Sequence, residues 1–190
     1  MVWVNFLVCL LFLAIILVVL AISLMGIYLL CSSLGQQWAP PVRSSGKIRE
    51  AVLMELSKQL EMSKRPQKVV DLGSGWGTLL LPLAKKFSKH QFVGIERAFT
   101  PFYVSQFRAR KLSNLQFVRE DFFKYDLLDT DIVVMFLIGF MMPKVTDKCV
   151  KELPKSSRIL AVRFPLVGVE ADTIVNLGSK METYYVYKIQ

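Results

Sequence analysis

Val69-Val70-Asp71-Leu72-Gly73-Ser74-Gly75-Trp76-Gly77-Thr78-Leu79-Leu80-Leu81-Pro82-Leu83-Ala84 passes from an apolar strand, through an acid and three alternate glycines, into a helix. Glycines at every second position let the main chain turn sharply without Cβ clashes and let a ligand lie directly against it. The strand is expected to end at Asp71. The loop after it, Gly73, Ser74, Gly75, Trp76 and Gly77, is of the nucleotide-cofactor type.

Asp71 helps to say which nucleotide. A dinucleotide fingerprint needs Gly-x-Gly-x-x-Gly with a pyrophosphate over the helix N-terminus, and Thr78 stands where the third glycine would fall. A carboxylate just before the loop repels a pyrophosphate and suits an α-ammonium. S-adenosylmethionine carries that ammonium and no phosphate.

The next strand, Gln91 to Glu96, also ends in an acid. Glu96 is suited to accept hydrogen bonds from two ribose hydroxyls, each worth about 1.5–3 kcal/mol to a charged acceptor. Dinucleotide folds place an acid here too, so Glu96 alone does not discriminate. Arg97 follows it directly and joins the candidate cofactor-binding residues. The alternating segment Leu115 to Phe123 then brings Asp121, placed to accept from an adenine amino group, and Phe122, placed to pack on the ring.

In these three elements, taken in order, the chain resembles the seven-strand-type S-adenosylmethionine-dependent methyltransferases. The resemblance implies an α/β fold: a Rossmann-like, mostly parallel sheet with helices on both faces. Apolar segments at Asp131–Gly139, Arg158–Arg163 and Tyr184–Ile189 supply further strands, the last giving an antiparallel edge. Helices are expected over Gly46–Met62, Thr78–Lys86, Phe102–Lys111 and Met142–Leu153.

Two physical regimes share the 190 residues. No charged side chain precedes Arg43, so all 24 Lys and Arg and all 15 Asp and Glu, with the net charge of +9, belong to residues 43–190. Of the 25 residues from Phe6 to Leu30, 18 are Leu, Ile, Val or Phe, and as a helix the segment covers roughly 37 Å against a hydrocarbon thickness of about 30 Å. Trp3 at one end, and Tyr28 and Trp38 at the other, suit the two interfaces. A cleaved signal peptide would want a basic start, a shorter apolar run and a small-residue cleavage site. Leu29-Leu30-Cys31 only faintly resembles a lipoprotein site, since Leu30 is large. The expected organisation is a transmembrane anchor over 1–32, a linker with Pro40 and Pro41 over 33–46, and a cofactor-binding domain over 47–190. Arg43, Lys47 and Arg49 put the domain on the cytoplasmic, or matrix-equivalent, side.

The span, the Pro-Pro linker, Phe140-Met141-Met142-Pro143 and Val162-Arg163-Phe164-Pro165 together resemble the small membrane-anchored lysine methyltransferases of the ADP/ATP carrier and the ATP synthase c subunit, and their prokaryotic relatives. Two departures stand out. Trp76 replaces the small residue often found between the second and third glycines, and the C-terminal part leaves little room for the usual last helix and hairpin. The implied activity is methyl transfer to a lysine of a membrane protein. Methylation of a lipid or quinone-like molecule, or a non-catalytic cofactor-binding role in membrane assembly, are the alternatives.

No residue declares itself as a catalytic base. Leu137-Ile138-Gly139-Phe140 stands where amide and adenine N-methyltransferases carry Asn-Pro-Pro-Tyr, which argues against that chemistry. His90 reads as a solvated loop residue. Cys9, Cys31 and Cys149 form neither a disulfide framework nor a metal cluster, and no metal is expected. Asp126, Asp129 and Asp131 read as a solvated acidic stretch. Without a recognisable nucleic-acid module, the positive charge is better matched by an anionic lipid surface than by nucleic acid.

Overall fold

The computed structural model describes the backbone of residues 2–35 and 46–190, and side-chain surroundings for 8–28 and 46–190. The linker with Pro40 and Pro41, and the side chains of Trp3, Cys31 and Trp38, lie outside the described residues. The chain divides into two compact units, Met1–Pro40 and Pro41–Gln190.

The described residues of the first unit form one helix, α1 (Val2–Gly35). Its stretch Val8–Tyr28 is long and apolar enough to cross a membrane, and each of those side chains is exposed.

The second unit begins with α2 (Gly46–Glu61), which buries Ile48, Val52, Leu56 and Leu60 at four-residue spacing. Then come β1 (Lys68–Leu72), α3 (Leu80–Lys86), β2 (Gln91–Ile95), α4 (Phe99–Ala109), β3 (Leu115–Val118) and β4 (Ile132–Met135). A 3₁₀ turn (Gly139–Met141) leads into α5 (Met142–Glu152), followed by β5 (Arg158–Val162), β6 (Thr173–Asn176), a second 3₁₀ turn (Lys180–Glu182) and β7 (Thr183–Lys188).

The seven strands form one sheet in the order β3-β2-β1-β4-β5-β7-β6. The first five are parallel, and β7 pairs antiparallel with both β5 and β6. Alternation along the strands fills two cores. Val69, Ile132, Val134 and Leu160 meet α2, α3 and α4 on one face, while Val70, Val133, Met135 and Ile159 meet α5 on the other.

Several boundaries differ from the sequence reading. β4 has four residues, not the whole of Asp131–Gly139, because the chain leaves the sheet after Met135 and passes over the glycine loop. There Leu137 Cδ2 lies 3.2 Å from where a Cβ of Gly73 would sit. The expected shortage of room at the C-terminus is half corrected: the β6–β7 hairpin fits, while the described chain from Arg163 to Asp172 contains no helix. His90 is buried at 7 % exposure rather than solvated. Its Nδ1 accepts from the Gln67 N–H at 3.0 Å, and its ring meets Phe87 edge-on.

Candidate active site

Strand order reverses direction at β1, whose neighbours β2 and β4 carry the chain to opposite sides. In open α/β sheets, ligands bind in the crevice at the carboxyl ends of the strands at such a switch point. Asp71 and the glycine loop stand at that end of β1.

Gly73, Gly75 and Gly77 all have positive φ, at 80°, 53° and 71°, so the alternate glycines are a conformational requirement. The N–H groups of Gly73 and Ser74 both donate to the Ile95 carbonyl, at 2.9 Å each, which ties the loop to the end of β2. A Cβ at Gly77 would lie 2.5 Å from Phe117 Cζ. One at Gly94, in the middle of β2, would meet the same ring at 2.5 Å and the Ser74 hydroxyl at 2.7 Å. Phe117 therefore fills the space that two glycines vacate and holds the loop close to the sheet. Around Gly75 the space is open.

Asp71 is 3 % exposed, and its carboxyl accepts no hydrogen bond among the described residues. Burial, and secondarily the Glu96 charge, push its carboxyl up to about 8. Glu96 is engaged at both oxygens: Gly75 N–H donates to Oε2 at 2.8 Å and Ala98 N–H to Oε1 at 2.7 Å. Each oxygen retains a lone pair for a further donor. The Ser74 hydroxyl is buried without a partner.

A ligand that is cationic near Asp71 and rich in hydroxyls near Glu96 answers these deficits. S-adenosylmethionine has that donor set, and no atom lies within 4 Å of the Cβ position of Gly75 to obstruct an approach to the turn there; bound, it supplies an electrophilic methyl on a sulfonium.

The remaining sequence-derived candidates are placed less tightly. Trp76 projects outward, and its carbonyl accepts from Arg108 Nη1 at 2.9 Å. Arg97 is exposed after Glu96. Asp121 and Phe122 follow β3 at the same sheet edge; Asp121 Oδ1 accepts from Phe123 N–H at 3.1 Å, and Phe122 lies half-buried with its ring 4.5 Å from that of Phe123. Thus Asp71, the loop and Glu96 form one connected group, whereas Asp121 and Phe122 join it by topology. Phe117, Leu137 and Arg108 escaped the sequence reading. Only the mid-strand Gly94 signalled a close approach there. Among the described residues, no cluster of His, Cys, Asp and Glu is arranged to hold a metal.

A seven-stranded sheet of this order, with an acid one residue before the end of β1 and a glycine turn at its switch point, defines a class I S-adenosylmethionine-dependent methyltransferase. The profile of the ANTKMT methyltransferase domain matches residues 71–173, more than half of the chain, and the chain belongs to that family. It is 27 % identical over 146 residues to a protein-lysine N-methyltransferase of Saccharolobus islandicus, covering 70 % of this chain and 86 % of that one. It is 32 % identical over 120 residues to the adenine nucleotide translocase lysine N-methyltransferase of Mus musculus, covering 60 % of this chain and about half, 51 %, of the mouse protein. In fold it resembles an RNA methyltransferase from Salinibacter ruber solved with S-adenosyl-L-homocysteine, with TM-score 0.67 at 21 % identity, over 78 % of this chain and 94 % of that one.

Proposed function

We propose that this methyltransferase modifies a lysine of a membrane protein, that α1 anchors it in the same membrane with the catalytic unit on the cytoplasmic or matrix-equivalent side, and that Asp71, Gly73–Gly77, Glu96, Arg97, Asp121 and Phe122 hold S-adenosylmethionine. The observation that carries the cofactor assignment is the buried, unpartnered Asp71 at the end of β1. A carboxylate kept out of water and beside Glu96 gains most from a cation, which here is the cofactor's ammonium. The lysine acceptor is supported by the names of two relatives.

A lysine acceptor arrives protonated, with a free pKa near 10.4, and must lose its proton before attack. An apolar approach lowers that pKa by desolvation. Phe136, Leu137, Ile138 and Phe140 after β4, with Phe164 after β5, supply apolar side chains for such an approach. The Phe164 ring lies 3.1 Å from the Cβ position of Gly139, so the two loops meet. A short tether to the membrane raises the effective concentration of any substrate in the same plane.

Purified protein is incubated with radiolabelled S-adenosylmethionine and membranes from a strain lacking it. Label in a protein band, located on lysine by peptide mapping, supports the proposal. Label in the organic extract would favour a lipid or quinone acceptor, and cofactor uptake without transfer a non-catalytic role.

A further inference from the structure

Helix α4 buries Phe102, Ser105 and Ala109 and turns Phe99, Tyr103 and Phe107 outward, at 54 %, 47 % and 65 % exposure. Three aromatics at successive fourth positions form a continuous apolar stripe. Monomeric surfaces rarely leave such a stripe uncovered.

Its charges are one-sided. From Arg97 to Arg119 there are five basic residues, Arg97, Arg108, Arg110, Lys111 and Arg119, and no acid. None of the five pairs with a carboxylate among the described residues. Two guanidiniums lie over the stripe instead, Arg110 at 3.9 Å from the Phe107 centroid and Arg119 at 5.1 Å from that of Phe99. Phe99 and Tyr103 also pack on each other, with centroids 4.4 Å apart.

We infer that this face of α4 is a membrane-docking surface that takes up the headgroup region of a bilayer rich in anionic lipid. Aromatic bodies flanked by long cationic side chains match that boundary, rings at the acyl margin and guanidiniums among the phosphates. A nucleic-acid platform would need open ring faces. Here Arg110, Arg119 and the Phe99–Tyr103 contact already cover them. Because Phe99 opens α4 two residues after Arg97, docking brings the Glu96 end of the site toward the lipid. The inference shares the membrane setting of the proposed function, but depends on α4 rather than on α1 or on the acceptor.

The full chain, with Cys9 and Cys31 changed to Ser and a fluorophore on Gln106→Cys, is reconstituted in lipid nanodiscs carrying a doxyl quencher. Insertion into the disc reports on α1, and quenching reports on α4. Quenching is expected in discs containing phosphatidylglycerol and not in pure phosphatidylcholine. It is lost in about 1 M salt, where the screening length is about 3 Å, and in a Phe107→Ser/Arg110→Glu variant that still binds S-adenosylmethionine. The same label on Lys155→Cys, at the opposite end of the sheet, stays unquenched. Equal quenching in both lipids overturns the inference, as does a reporter that ignores lipid and responds only to added single-stranded RNA or a protein partner.

Discussion

The backbone N–H of Gly75 donates to Oε2 of Glu96 across 2.8 Å, so the acid just after β2 clamps the turn that follows β1. Its other oxygen holds the Ala98 N–H at the start of α4. One carboxylate thus joins the turn after β1 to the start of α4, and the position requires an acceptor on both sides.

Glu96→Gln therefore does more than remove a charge. Its amide NH₂ must face one of two backbone donors, and one clamp breaks. Hydrogen bonds to charged acceptors are worth about 1.5–3 kcal/mol, so calorimetry should show affinity for S-adenosylmethionine falling by roughly 10- to 100-fold. A folded variant with unchanged affinity would remove Glu96 from the site.

Asp71 sets function against stability. Its folded-state pKa, about 8, lies above the ordinary 3.8, so between those values the folded protein holds a proton that the unfolded chain has lost. Stability accordingly declines as pH climbs from about 4 to about 8, then levels. Asp71→Asn should remove that decline and stabilise the cofactor-free domain near pH 8, while abolishing cofactor binding. Urea titrations in detergent at several pH values measure the first effect and calorimetry the second. Retained affinity in the Asn variant would contradict the ammonium contact.

The same pKa predicts a proton count. Pairing a cation with Asp71 requires its ionised form, so binding below pH 8 expels a proton, and the number released falls toward zero as pH passes 8. Calorimetry of cofactor binding in two buffers of different ionisation enthalpy reads this directly. Heats independent of the buffer at pH 6.5 would be the contrary result.

How much of this was legible depended on range along the chain. Asp71, the glycines and Glu96 announce themselves because backbone sterics and charge fix the residue type at each position, and short-range spacing suffices to place them. β6 was missed because Thr173 and Ile174 are exposed on an edge strand, which lacks the apolar alternation that marks a half-buried one. His90 was misjudged among polar neighbours, since only the fold brings Gln67 N–H to its Nδ1. Desolvation there lowers the imidazole pKa, so His90 adds stability above about pH 6.5 that is lost as pH falls. Phe117 looked like any strand aromatic. Its relation to Gly77 and Gly94 spans three elements, and no local pattern encodes it.

That relation sets the cost of a side chain at Gly77. Gly77 sits at φ 71°, and its Cβ position is 2.5 Å from Phe117 Cζ and 3.2 Å from Ser105 Cβ, so Gly77→Ala meets backbone strain and a buried ring together. Left-handed strain of about 1–2 kcal/mol, with overpacking of about 1–3, gives an expected destabilisation of roughly 2–5 kcal/mol. Adding Phe117→Leu removes the ring but leaves φ unchanged, so the double variant should regain only part of the loss. Urea midpoints of the two single variants and the double measure this coupling. If the double variant is no more stable than the sum of the singles predicts, Phe117 is not what holds the glycine turn against the sheet.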